Sequence, residues 1–176
     1  MSVRRGDQTV LEAIDLAIEP GRFTSIVGPS GSGKSSLLRL LDRLDVPTEG
    51  TVRLDGVDLA DLDPLALRRR VAMVFQAPMV FPGSVAENLT MVPLAPSVRG
   101  TRDVADEPAA DLARVGLSTD LLDRDAGGLS GGEAQRLALA RALRAGPAVV
   151  LADEVTASLD GESAPVIEEL LVDLVG

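Results

Sequence analysis

The sequence predicts an α/β fold on a mainly parallel sheet, with an antiparallel β part at the N-terminus and an inserted helical part. Three observations predict it. Strand and helix patterns alternate over most of the 176 residues, the order that builds a parallel sheet from strand–helix–strand units. A glycine-rich turn stands between a strand pattern and a helix pattern. A late apolar run, Val149-Val150-Leu151-Ala152, leads straight into two carboxylates, as a buried strand does when it delivers its end to a ligand-binding sheet edge.

Each element has its reason. Residues 10–18 and 23–27 read as strands around the turn Glu19-Pro20-Gly21. Residues 35–44 read as a helix and 51–54 as a short strand before the turn Asp55-Gly56. Residues 71–75 form a buried-type strand. From Ala77 to Gly128, prolines at 78, 82, 93, 96 and 108 break up helical pieces such as 84–89 and 104–115, because proline removes a helix donor and clashes with the preceding turn. That stretch is the inserted helical part, with 92–98 as a loop. A helix from Gly131, a strand over 148–152 and a helix over 161–174 then restore the α/β order.

Composition excludes several classes. Hydrophobic residues at 45% and charged residues at 25% suit one globular domain with a full core. No apolar run approaches the ~20 residues that a membrane-spanning helix needs. No signal-peptide pattern opens the chain, and it has no cysteine, so a soluble cytosolic protein is expected. The net charge is −10, and cations cluster only at Arg68-Arg69-Arg70. That trio reads as a helix end, where cations suit the dipole. With three Phe and neither Trp nor Tyr, the chain offers no base-stacking platform, and no nucleic-acid partner is expected.

The chemistry lies in three stretches. The first is Gly28, Pro29, Ser30, Gly31, Ser32, Gly33, Lys34, Ser35 and Ser36, a phosphate-binding loop placed between strand and helix. Its glycines let backbone N–H groups wrap phosphates. Lys34, the chain's one lysine, would reach the β- and γ-phosphates, and the Ser35 hydroxyl would bind Mg²⁺. The second is Asp153-Glu154: Asp153 would hold Mg²⁺, and Glu154 would orient the attacking water. The fold is therefore expected to be a P-loop NTPase core. The third is GLSGGEAQRLALARAL, residues 128–143, a strong helix former that opens on the poor choice Gly131-Gly132. A glycine pair at a helix start leaves N–H groups open to an anion. Ser130 and Glu133 also read as a capping box.

Gly28–Ser36, Gln76 after VAMVF, LSGGEAQR at 129–136, VVLADE at 149–154 and SLD at 158–160 occur in that order. Together they resemble the nucleotide-binding domain of the ABC ATPase family over essentially the whole chain, and LSGGEAQR resembles its signature. The resemblance implies a core of residues 1–76 and 129–176 around a helical subdomain at 77–128. It implies ATP and Mg²⁺, with Gln76 touching the metal or the water alongside Ser35 and Asp153, and Glu154 and Lys34 as catalytic groups. It also implies head-to-tail pairing with a second such domain, so that Ser130, Gly131, Gly132 and Glu133 act on the partner's nucleotide and Asp160 spans the dimer. The implied activity is ATP hydrolysis driving solute transport, on the cytoplasmic face of the plasma membrane, docked to separate permease subunits. The segment after Gln76 resembles the family's groove for a permease helix, with Phe81, Val85 and Leu89 spaced along one face or, equally, in the core.

Departures from the family are specific. Arg5 stands where the family stacks an aromatic on adenine, which predicts reduced adenine selectivity. Val155 replaces a proline, and Ala157-Ser158 inverts the usual order; Val155 and FPGSVAENL resemble small bacterial subunits of the iron-export type. The chain contains no histidine, whereas the family places a switch histidine on a strand after the last helix. The chain is accordingly expected to be C-terminally truncated, with a hydrolysis-impaired regulatory form as the alternative. A DNA-repair or chromosome ATPase would need a coiled coil between Gln76 and Ser130, which stand 54 positions apart. A ribosome-acting type would carry two such domains and basic linkers.

Overall fold

The computed structural model describes residues 1–92, 107–156, 161 and 163–173. Asp160, Ser158 and most of the 92–98 loop lie outside them, as do residues 104–106 of the expected 104–115 helix.

The N-terminal part is antiparallel, as expected. Strand β1 (Val3–Arg5) pairs with β2 (Gln8–Leu11), and after helix α1 (Lys34–Leu41) strand β3 (Arg53–Leu54) pairs with β4 (Val57–Asp58). Helix α2 (Pro64–Arg70) carries proline in its first turn and an Asp63 cap, and Arg68, Arg69 and Arg70 close it. The arginine trio therefore sits at a helix C-terminus, where the dipole favours it. Strand β5 (Val71–Val74) then runs parallel to β6 (Val149–Ala152), with Val71 opposite Val149 and Val74 opposite Ala152.

Between β5 and β6 come α3 (Val85–Thr90), α4 (Glu107–Arg114) and the long α5 (Gly131–Arg144); α6 (Ser163–Asp173) follows β6. A capping box of Ser84 and Glu87 starts α3. Its Val85 and Leu89 are fully buried, in one cluster with Leu112, Leu137, Leu139, Leu143, Val155 and Ile167. Of the two readings for that spacing, core is the correct one, and Phe81 precedes the helix. A second cluster joins α1, α2, β5 and β6 through Leu37, Leu40, Leu67, Val71 and Leu151.

The strand expected over 10–18 stops at Leu11, and the one expected over 23–27 has no cross-strand partner among the described residues. Phe23 is 54% exposed and Val27 87%. A strand exists only through the ladder of a neighbour, and among the described residues β6 is paired on one side alone, by β5. The apolar pattern of 23–27 is that of a strand; what is missing is the partner.

Candidate functional site

Four residues from two distant motifs meet at the C-terminal edge of the β5–β6 pair. The Asp153 backbone N–H donates to Val74 O at 3.0 Å, which carries the ladder one residue past β6 and holds Asp153 at that edge. The Ser35 hydroxyl donates to Asp153 Oδ1 at 2.8 Å, across 118 residues of sequence. Lys34 Nζ lies 3.3 Å from Glu154 Oε1 and donates to the carbonyls of Gly28 and Pro29, both at 3.1 Å. Glu154 has φ +49°, a left-handed conformation that costs a β-carbon-bearing residue about 1–3 kcal/mol and gathers at functional sites.

The loop at this edge suits phosphate. Helix α1 starts at Gly33, φ +94°, without a side-chain cap, so its leading N–H groups have no side-chain acceptor and an oxyanion can take that place. A Cβ at Gly33 would lie 2.8 Å from Leu11 Cδ2 and 3.1 Å from Val10 O, so glycine is required there on two counts. Ser35 Oγ and Asp153 Oδ1 are adjacent hard-oxygen donors, the kind Mg²⁺ takes while keeping several waters. The residues present fit both a nucleotide phosphate chain and that ion.

Gln76 stands two residues beyond Val74, at the same sheet edge, exposed and without a side-chain partner among the described residues. Its loop is held from behind. Gln135 Nε2 donates to Phe75 O at 3.1 Å, and Arg141 Nη2 donates to Met79 O at 2.6 Å. These two residues went unremarked in the sequence because Gln and Arg are ordinary surface residues of a good helix. No local signal set them apart, because α5 also carries Glu133, Arg136 and Arg144.

The second cradle is the start of α5. Ser130 Oγ accepts from the Glu133 N–H at 3.2 Å, and the Ser130 N–H donates to Glu133 Oε2 at 2.8 Å, a complete capping box. The hydrogen bonds from Ser130 hold the Glu133 carboxyl below its ordinary range, that from the backbone N–H first, with Arg124 and Arg136 adding to it. A Cβ at Gly131 would meet nothing within 4 Å, so this helix start faces open space. Among the described residues no hydrogen bond or ion pair joins Ser130, Gly131, Gly132 or Glu133 to the Lys34 loop.

Comparison with known proteins agrees with this geometry. The ABC transporter family model matches residues 11–157. The Protein STAR1 of Oryza sativa subsp. japonica is 45% identical over 98% of this chain and 49% of its own length. A probable anion import ATP-binding protein of Haloferax volcanii is 43% identical over 94% of this chain and 62% of its own. The chain thus spans about half to three fifths of the length of these relatives. Among solved structures, a dimeric ATP-binding cassette in a post-hydrolysis state, bound to ADP and Pi, superposes with TM-score 0.82 at 33% identity, covering 99% of this chain and 79% of that one. By sequence and by fold, the chain belongs to the ABC transporter family and carries its ATP-binding domain.

Proposed function

We propose that this chain is the ATP-binding and ATP-hydrolysing part of a transporter, working as a pair of domains. The reading rests on one observation above all: Lys34 and Ser35 of the phosphate loop touch Glu154 and Asp153 at a single sheet edge. Bound there, the γ-phosphate would replace the carboxylate as partner of Lys34, leaving Glu154 free to hold a water in line. Backbone N–H groups of residues 28–36 orient the phosphates, so that positioning and charge stabilisation carry the reaction. Ser35 and Asp153, with Gln76 nearby, would hold Mg²⁺, which would neutralise charge on the phosphate oxygens. Ser130, Gly131 and Gly132 offer their helix start to a nucleotide on a second domain, arranged head to tail; Asp160 would lie at that dimer seam.

We assign residues 77–128 as a helical subdomain between core segments 1–76 and 129–176. A cavity of about 240 Å³, lined by Met73, Phe75, Pro78 and Met79 between Arg68 and Arg141, supports docking of a separate permease subunit beside the Gln76 loop. No helix among the described residues is long and apolar enough to cross a membrane; the docked chain would sit peripherally on the cytoplasmic face of the plasma membrane. Relatives are named for import of anions, of phosphate and of mycobactin, so they support transport without fixing one cargo.

The test is Mg²⁺-ATP turnover beside nucleotide binding, in the wild type and in Lys34→Ala. Turnover above that of the variant, and binding lost in it, is the expected result. Binding without turnover in the wild type would instead assign the hydrolysis-impaired form. Equal binding by both proteins would sink the phosphate-loop reading.

A further inference from the structure

The segment that carries Gln76 is tied down at three points, each by a polar side chain set against or inside the apolar core. Gln135 is fully buried and spends its amide N–H on Phe75 O, the carbonyl that immediately precedes Gln76. Its Oε1 is buried without a hydrogen-bond partner among the described residues. Arg141, half-buried, donates to Met79 O at 2.6 Å and lies 4.9 Å over the Phe81 ring. Asn88 is fully buried and brackets Phe81, accepting from its N–H and donating to its carbonyl, both at 2.9 Å.

Stability alone does not account for this choice. A buried amide with one oxygen unmatched is worse for folding than a methionine of the same length. A half-buried guanidinium likewise gives up hydration that an apolar side chain would not have. What the two α5 residues have in common is the backbone they hold, on either side of Gln76, Ala77 and Pro78. They extend from the same helix whose first turn is Ser130, Gly131 and Gly132. Moving α5 therefore moves the carbonyls that flank Gln76.

We infer that Gln135 and Arg141 are positioning residues, which clamp the Gln76 loop to the signature helix so that the loop follows that helix as one body. The inference deepens the proposed ATPase function and rests on it for its catalytic consequence, whereas the clamp itself is measurable without nucleotide turnover. On the proposed function Gln76 would touch the reacting groups, and Gln135 and Arg141 would act through it.

The chain has no cysteine, so Ala77→Cys provides a single attachment point for a spin label inside the clamped loop. In that background we compare Gln135→Met, which fills the same volume, Arg141→Met, Arg141→Lys, and Ala140→Gly, which softens α5 without touching the loop. Label mobility is expected to rise in the two Met variants, to return towards wild type in Arg141→Lys and to stay unchanged in Ala140→Gly, with the melting temperature of Gln135→Met not lowered. A purely structural role predicts the reverse for Gln135→Met, a lower melting temperature with the label unmoved. In the unlabelled chain, Mg²⁺-ATP kcat should fall by about 10- to 100-fold in the Met variants, with nucleotide affinity held within about threefold. Unchanged label spectra in both Met variants would overturn the clamp. If the spectra respond as expected and the wild type hydrolyses nothing, the ATPase reading is what fails.

Discussion

The two helix starts that the proposed function gives to anions are built in opposite ways. The signature start opens a 14-residue helix with a complete capping box, and eight of that helix's residues are buried. The phosphate loop opens a shorter, uncapped helix, and it follows residues 23–27, which have no cross-strand partner among the described residues and are largely exposed. One cradle is made by interactions within its own four residues and stands on a full core. The other has no side-chain cap, and residues 23–27 before it have no cross-strand partner among the described residues. The difference shows that side chains from distant motifs, Ser35 and Asp153 or Lys34 and Glu154, can meet while the segment leading into their loop has no ladder among the described residues.

The largest expected effect is dynamic. Amide hydrogen exchange should be near the unprotected rate over 23–27 and slower by at least about 1,000-fold in the middle of α5, because local opening is cheap where no ladder exists. Equal protection in the two segments would break the contrast.

Next is a pH effect on the phosphate-loop side. Asp42 ends α1, nearly fully buried, with Oδ1 unpartnered among the described residues. Burial pushes its carboxyl up from 3.8 to about 6, opposed in part by Arg68. The folded state thus favours the protonated form. The stability this contributes is full below pH ~3.8 and is lost as pH rises through about 6, a swing of about 3 kcal/mol at neutral pH. Asp42→Asn should therefore stabilise the fold at pH 7 and change little at pH 3.5, as read from urea midpoints. A variant equally stabilised at both pH values would refute the assignment.

The smallest effect is a change of sign. Gly33→Ala should destabilise by about 1–3 kcal/mol, from positive φ and the approach of Val10 O. Gly131→Ala meets open space and should stabilise by about 0.5–1 kcal/mol. Thermal melts of the two variants side by side decide it; a loss of stability at both positions would mean that the signature start is as constrained as the phosphate loop.

Sequence alone determined much of this protein: the capping box at Ser130 and Glu133, the arginine-ended α2, the two strands β5 and β6, and the phosphate loop with its single lysine. Each of these is written in contacts between residues within a turn or two, or in an apolar run that any buried strand needs. Tertiary structure alone decided that Val85 and Leu89 are core, that residues 23–27 have no partner among the described residues, and that Gln135 and Arg141 face the Gln76 loop. The reason is separation along the chain. A cap or a turn is satisfied by neighbours a few positions away, whereas a strand's partner and a buried polar group's acceptor are supplied by residues dozens of positions distant. No local pattern specifies those, and only the packed fold brings them within hydrogen-bonding reach.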